Sequence, residues 1–227
     1  MAKTIEDLFF YLVFVFDLLI ITQVIFTPKS KAHNRILWLL LGYCTLNSVC
    51  NFLQQFILPD SYQYIVLAFF TISEYLLLAS VFFLLIKSKK FHKVIITLSF
   101  IFLVVVGWSF NRKHNQMIDA VPIGVETIFI LIYSFYYLYE QMNIVDDSFI
   151  YNRYHFWMVI GIMLYLGGSF FIYIFTNQAQ GHVLDDFWFL TYVFYILKNI
   201  FFAIGISYYS RKARHQTAHH QYRPYLN

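Results

Sequence analysis

Seven long apolar stretches constrain this chain more than any other feature. They run over residues 8–26, 36–58, 63–86, 94–110, 121–142, 156–176 and 187–209. A helix needs about 20 residues, at 1.5 Å each, to cross about 30 Å of hydrocarbon. Inside hydrocarbon no water satisfies a backbone N–H or C=O, so spanning segments form helices or closed barrels. Barrel strands would alternate over about 10 residues, and no such segments occur. The expected fold class is all-α: a polytopic membrane protein with seven transmembrane helices in one bundle. Composition agrees, because 60% of the 227 residues are hydrophobic and 12% are charged. A soluble domain carries roughly a quarter charged residues. A water-soluble domain and a disordered chain are both excluded on these grounds.

The connectors are short, and no internal repeat or Gly/Ser-rich linker divides the chain. One transmembrane domain over residues 1–209 is expected, followed by a polar, mobile basic tail over 210–227. Glu6 and Asp7 stand where a signal peptide would be positive, so the first stretch is expected to stay in place. Lys and Arg give the direction, since cytoplasmic loops retain positive charge. One side collects Lys29, Lys31, Arg35, Lys87, Lys89, Lys90, Lys93, Arg153, Arg211, Lys212, Arg214 and Arg223. The other side has Lys3, Arg112 and Lys113. The N-terminus is therefore expected outside and the C-terminus in the cytoplasm. The net charge of +4 is mostly this orientation signal and gives no reason to expect a nucleic-acid partner. The expected partners are the lipid bilayer and anionic lipid at the cytoplasmic face.

Ionisable residues at membrane depth are costly and mark candidate sites. Asp17, Glu74, Glu126 and Lys198 stand out. Counted from the outer ends at 1.5 Å per residue, Glu74, Lys198 and Asn47 lie about 16 Å deep, and Asp17 about 13 Å. Glu126 lies higher, about 7 Å from the edge. Equal depth suggests that Lys198 pairs with Glu74, with Asp17 as the competing acid. Asn47, Asn51, Gln54 and Gln55 form a polar stripe on one face of the second stretch, and Asn199 stands beside Lys198. The candidate ligand or ion-pair set is Asp17, Asn47, Asn51, Glu74, Glu126, Lys198 and Asn199. The bland alternative for all of them is a buried clamp that only fixes helix packing. Gly161, Tyr165 and Gly168 share a face and are read as packing, because small residues let helices approach closely. Cys44 and Cys50 are about 9 Å apart along one helix, too far for a disulfide, and are expected to be reduced.

No phosphate-binding Gly loop, HExxH, Gly-x-Ser-x-Gly elbow or CxxC is present, so no catalytic residue and no metal site are assigned. Retinal proteins share seven spans and a lysine in the middle of the seventh. Microbial ones carry Asp four residues before that lysine, where this chain has Phe194, and their third span differs from TISEYLLLASVFF. No cofactor is expected, retinal on Lys198 included. The segments SEYLLLASVFFLLIKSKK, VETIFILIYSFYYLYEQ, FWMVIGIMLYLGGSFF and LKNIFFAIGI resemble bacterial seven-helix membrane regions of sensor type. Such regions occur as short stand-alone proteins and as the input regions of some histidine kinases. The resemblance covers most of the chain. It implies a bacterial inner-membrane location and a sensing role, and brings no catalytic residues. The expected function is a sensory or receptor-like bundle acting through a cytoplasmic or membrane partner. A small proton-coupled carrier, an intramembrane lipid-modifying enzyme and a structural subunit are the alternatives.

Overall fold

The computed structural model describes residues 2–27, 34–57, 59, 63–112, 120–143, 150–178 and 189–222. Lys29, Lys31, Lys113 and Arg223 lie outside them, as do Leu58 and residues 187–188 of the second and seventh apolar stretches. The side chain of Gln55 also lies outside the description.

Seven α-helices fill the described residues: α1 (Ala2–Phe26), α2 (Asn34–Phe52), α3 (Gln63–Leu85), α4 (Lys89–Arg112), α5 (Ala120–Met142), α6 (Tyr154–Gln178) and α7 (Phe189–Tyr222). A π-helical turn, Leu53–Ile57, continues α2, and a short 3-10 turn, Ile150–Asn152, leads into α6. Six of these helices are long and apolar enough to cross a membrane. The exception is α2. Thr45, Asn47, Ser48 and Asn51 dilute its 19 residues, and Asn47 and Ser48 are turned inward and buried. Its polarity is spent on partners inside the bundle, as the site below shows.

Among the ends that differ from the sequence reading are those of α4 and α7. α4 starts at Lys89 rather than near residue 94, because Ser88 caps it. The Ser88 hydroxyl accepts a bond from the Phe91 backbone N–H at 3.4 Å, as an N-cap serine does. α7 does not stop at the apolar limit near residue 209. It runs on to Tyr222, so the first part of the expected mobile tail is helical.

The helices form a closed circuit. α1 packs on α2, α2 on α3, α3 on α5, α5 on α6, α6 on α7, and α7 returns to α1. α4 sits outside this circuit, against α3 and α5. Apolar side chains such as Leu19, Phe26, Ile96, Phe100, Val104 and Phe135 are exposed on the outer faces. In water such a surface would drive aggregation; in a bilayer it is the face that meets lipid.

Without a hydrophobic force between helices, close packing has to hold them together. α6 and α7 show how. A Cβ at Gly161 would stand 2.9 Å from the Phe201 Cβ and 3.1 Å from the Lys198 carbonyl oxygen. A Cβ at Gly205 would stand 2.9 Å from the Tyr154 carbonyl oxygen. Two missing side chains thus let the backbones meet, and the first of them seats the turn that carries Lys198.

Candidate functional site

α7 brings Tyr195, Lys198, Asn199 and Phe202 to one face, spaced by three, four and seven residues from the first, as helical geometry requires. Lys198, Asn199 and Phe202 are fully buried, and Tyr195 nearly so. This face meets Asp17 of α1, Tyr43 and Asn47 of α2, Glu74 of α3 and Tyr165 of α6.

Asp17 is fully buried and saturated with donors. Its Oδ2 accepts from Asn47 Nδ2 at 2.7 Å and from the Ser48 hydroxyl at 3.3 Å. Its Oδ1 accepts from the Tyr195 hydroxyl and from Asn199 Nδ2, both at 2.9 Å. Three helices therefore close on one carboxylate. Bonds to a charged group are the strong ones, and a buried acid needs them all.

Lys198 reaches Glu74 through a bridge. Its Nζ donates to the Tyr43 hydroxyl, and that hydroxyl donates to Glu74 Oε1 at 2.7 Å. The pairing expected from equal depth runs through a relay of ammonium, phenol and carboxyl. Tyr165 is a second hydrogen-bond partner of Glu74. Rings enclose the ammonium: Nζ lies 3.3 Å from the Tyr195 ring centroid and 4.3 Å from those of Tyr43 and Tyr165. Desolvated contacts of this kind are worth about 2 kcal/mol or more. The same packing leaves the amine wrapped in aromatic side chains. Tyr43 also borders an apolar crevice of about 10 Å³ between α2, α3, α6 and α7, roughly room for one water.

A second polar group lies on α3, α4 and α5. The Tyr75 hydroxyl bonds to the Tyr133 hydroxyl at 2.9 Å and to the Ser99 hydroxyl at 3.1 Å. Glu126 is 2% exposed, and its Oε1 has no hydrogen-bond partner among the described residues. Glu74 is within its electrostatic reach. A third cluster sits where α3 meets α4. Glu140 of α5 accepts from the backbone N–H groups of Lys87 at 2.9 Å and Ser88 at 3.1 Å. It ties α5 to a turn with exposed Lys87, Lys89, Lys90 and Lys93.

Of the residues singled out in the sequence, Asp17, Asn47, Asn199, Lys198 and Glu74 come together in one layer. Glu126 stands to its side. Asn51 is half-buried one turn beyond Asn47 and joins none of these bonds. Tyr43, Ser48, Tyr165 and Tyr195 are partners that the expected set lacks. The signal for Tyr43 is its place four residues before Asn47, on the same face of α2. Cys44 and Cys50 are buried free thiols. No group of three or more His, Cys, Asp or Glu among the described residues could hold a metal ion. Compared with family models, curated proteins and solved structures, the chain matches none.

Proposed function

We propose that this integral membrane protein is a receptor-like sensor whose switch is the Lys198 relay. In this reading it lies in a bacterial cytoplasmic membrane with its N-terminus outside and its C-terminus in the cytoplasm. One observation carries the proposal: a single buried network, centred on Lys198, ties together α1, α2, α3, α6 and α7. Buried charge networks have discrete arrangements, and a stimulus that favours one arrangement shifts the whole population.

The route out is α7. Its spanning part ends at Arg211, and the helix continues to Tyr222. Eleven more residues at 1.5 Å each project it about 16 Å further. A continuous helix of this kind carries a tilt of α7 to a cytoplasmic partner. The lysine-rich α3–α4 turn, fixed by Glu140, faces the same compartment in this orientation and meets anionic lipid head groups.

Spin labels at Lys90→Cys and Arg211→Cys, with the protein in nanodiscs, test the switch. Lys198→Met and Glu74→Gln are expected to add a second distance population between the labels. Tyr43→Phe, which removes only a hydroxyl, is expected to do so more weakly. Unchanged distances in folded variants would make the network a static clamp. Solute or proton flux in vesicles that these variants abolish would make the protein a carrier instead.

A further inference from the structure

Asp17 and Glu74 share the ammonium of Lys198, but no cation among the described residues acts on Glu126. Its carboxyl is buried on α5 and Oε1 is unpartnered among the described residues. The next side chain, Thr127, is fully buried and its hydroxyl is also unpartnered. Two adjacent unsatisfied groups in a helical interior are unusual, since nearly all buried polar atoms find a partner. An isolated carboxylate in an apolar interior is costly, and binding a proton removes that charge.

We propose that Glu126 is a proton-binding site through which the bundle reads acidity, with Glu74 as the group that passes its charge state to the Lys198–Tyr43 relay. The proposal rests on the receptor reading above and names its stimulus. The step is a simple one: a proton from bulk water forms an O–H bond on the Glu126 carboxylate, and its release breaks that bond. No other covalent bond changes.

Three observations favour a proton over a metal ion. The site offers one carboxyl with an open oxygen, and no cluster of three acidic, His or Cys ligands is found among the described residues. Glu126 is near the start of the spanning part of α5 at Val121, about 7 Å along at 1.5 Å per residue, so its path to water is short. The neighbouring groups are themselves proton carriers. Glu74 and Tyr75 of α3 are within electrostatic reach. On α6, Tyr165 bonds to Glu74. Behind Glu74 stand Tyr43 and Cys50 of α2 and Lys198 of α7. α4 contributes the hydroxyl of Ser99 through Tyr75.

Charge moved on Glu126 acts on Glu74 directly. When Glu126 is ionised it repels the Glu74 carboxylate and strengthens the pull on Lys198. When it is neutral, Lys198 is left to divide between Glu74 and Asp17. A single proton therefore biases the same element that the receptor reading takes as its switch.

Infrared difference spectra of the full chain in nanodiscs, recorded between acidic and alkaline buffer, test the site. The wild type is expected to show a carboxylic-acid carbonyl band that changes with pH. Glu126→Gln is expected to lose that band and Glu126→Asp to shift it, while Glu140→Gln keeps it. Lys90–Arg211 label distances should change with pH in the wild type and stay constant in Glu126→Gln. A band that survives in Glu126→Gln, or no pH-dependent band in the wild type, overturns the proposal. So does a band that responds to replacing sodium by choline at fixed pH, which would make the occupant a metal ion. Label distances that respond to Lys198→Met but never to pH would remove the proton site and leave the receptor reading standing.

Discussion

Asp17 and Glu126 are buried to nearly the same degree, 0% and 2% exposed, yet their surroundings are opposites. Asp17 receives four donors from α2 and α7. Glu126 keeps an oxygen without a partner among the described residues. Burial alone therefore does not say what an acid inside a helical bundle is for. A saturated carboxylate is held in one form and organises the helices around it. An unsaturated one has a reason to change form. The first property suits a frame, and the second suits the proton site proposed above.

Several substitutions would break or sharpen that contrast. The largest expected effect is Lys198→Met. It leaves Glu74 and Asp17 facing each other's charge with no cation, and removing one partner of a buried ion pair costs about 3–5 kcal/mol. Thermal melting in nanodiscs reads this as a large fall in Tm. Lys198→Arg should not restore stability, because the planar guanidinium is too bulky for a site closed by three tyrosine rings.

Asp17→Ala is expected to rank beside it. It strands the donors of Asn47, Ser48, Tyr195 and Asn199, and each unsatisfied buried group costs about 1–3 kcal/mol. The matching change on the other side, Glu126→Ala, should cost far less, because it strands no donor described here. Equal losses in the two alanine variants would erase the contrast.

Gly161→Ala is expected to cost about 1–3 kcal/mol by overpacking, with Lys198 displaced from its ring contacts. Gly167→Ala supplies the control, since nothing lies within 4 Å of the Cβ it would add. The smallest effect is expected from Glu140→Gln. It weakens two bonds to the α3–α4 turn, a loss of about 1 kcal/mol. Faster hydrogen exchange confined to Lys87 and Ser88 would show it.

Much of this arrangement was legible in the sequence. Apolar length marked the helices, because a bilayer leaves the backbone no other way to satisfy its polar groups. Depth counting placed Asp17, Asn47, Glu74 and Lys198 together, because helical rise is nearly constant. The same arithmetic could not reveal the bridge through Tyr43. Residues at one depth can face several directions, and 19 tyrosines in the chain make any one of them unremarkable. For α2, apolar length suggested a seventh span, and the polar stripe stood out in the same stretch. The polar stripe that lowers its hydropathy is what couples it to Asp17. The continuation of α7 was hidden for a different reason. Polar residues end a span without ending a helix, since the backbone bonds are indifferent to what surrounds them.

The central claim is that Lys198, Tyr43 and Glu74 act as one unit. A double-mutant cycle tests it most directly: the unfolding free energies of Lys198→Met, Glu74→Gln and the double variant, each measured in the same membrane mimic. Coupling of about 1 kcal/mol or more, with the double variant less damaged than the sum of the singles, is expected for groups in one network. Additivity to within about 0.5 kcal/mol would contradict it, because that is how independent sites behave.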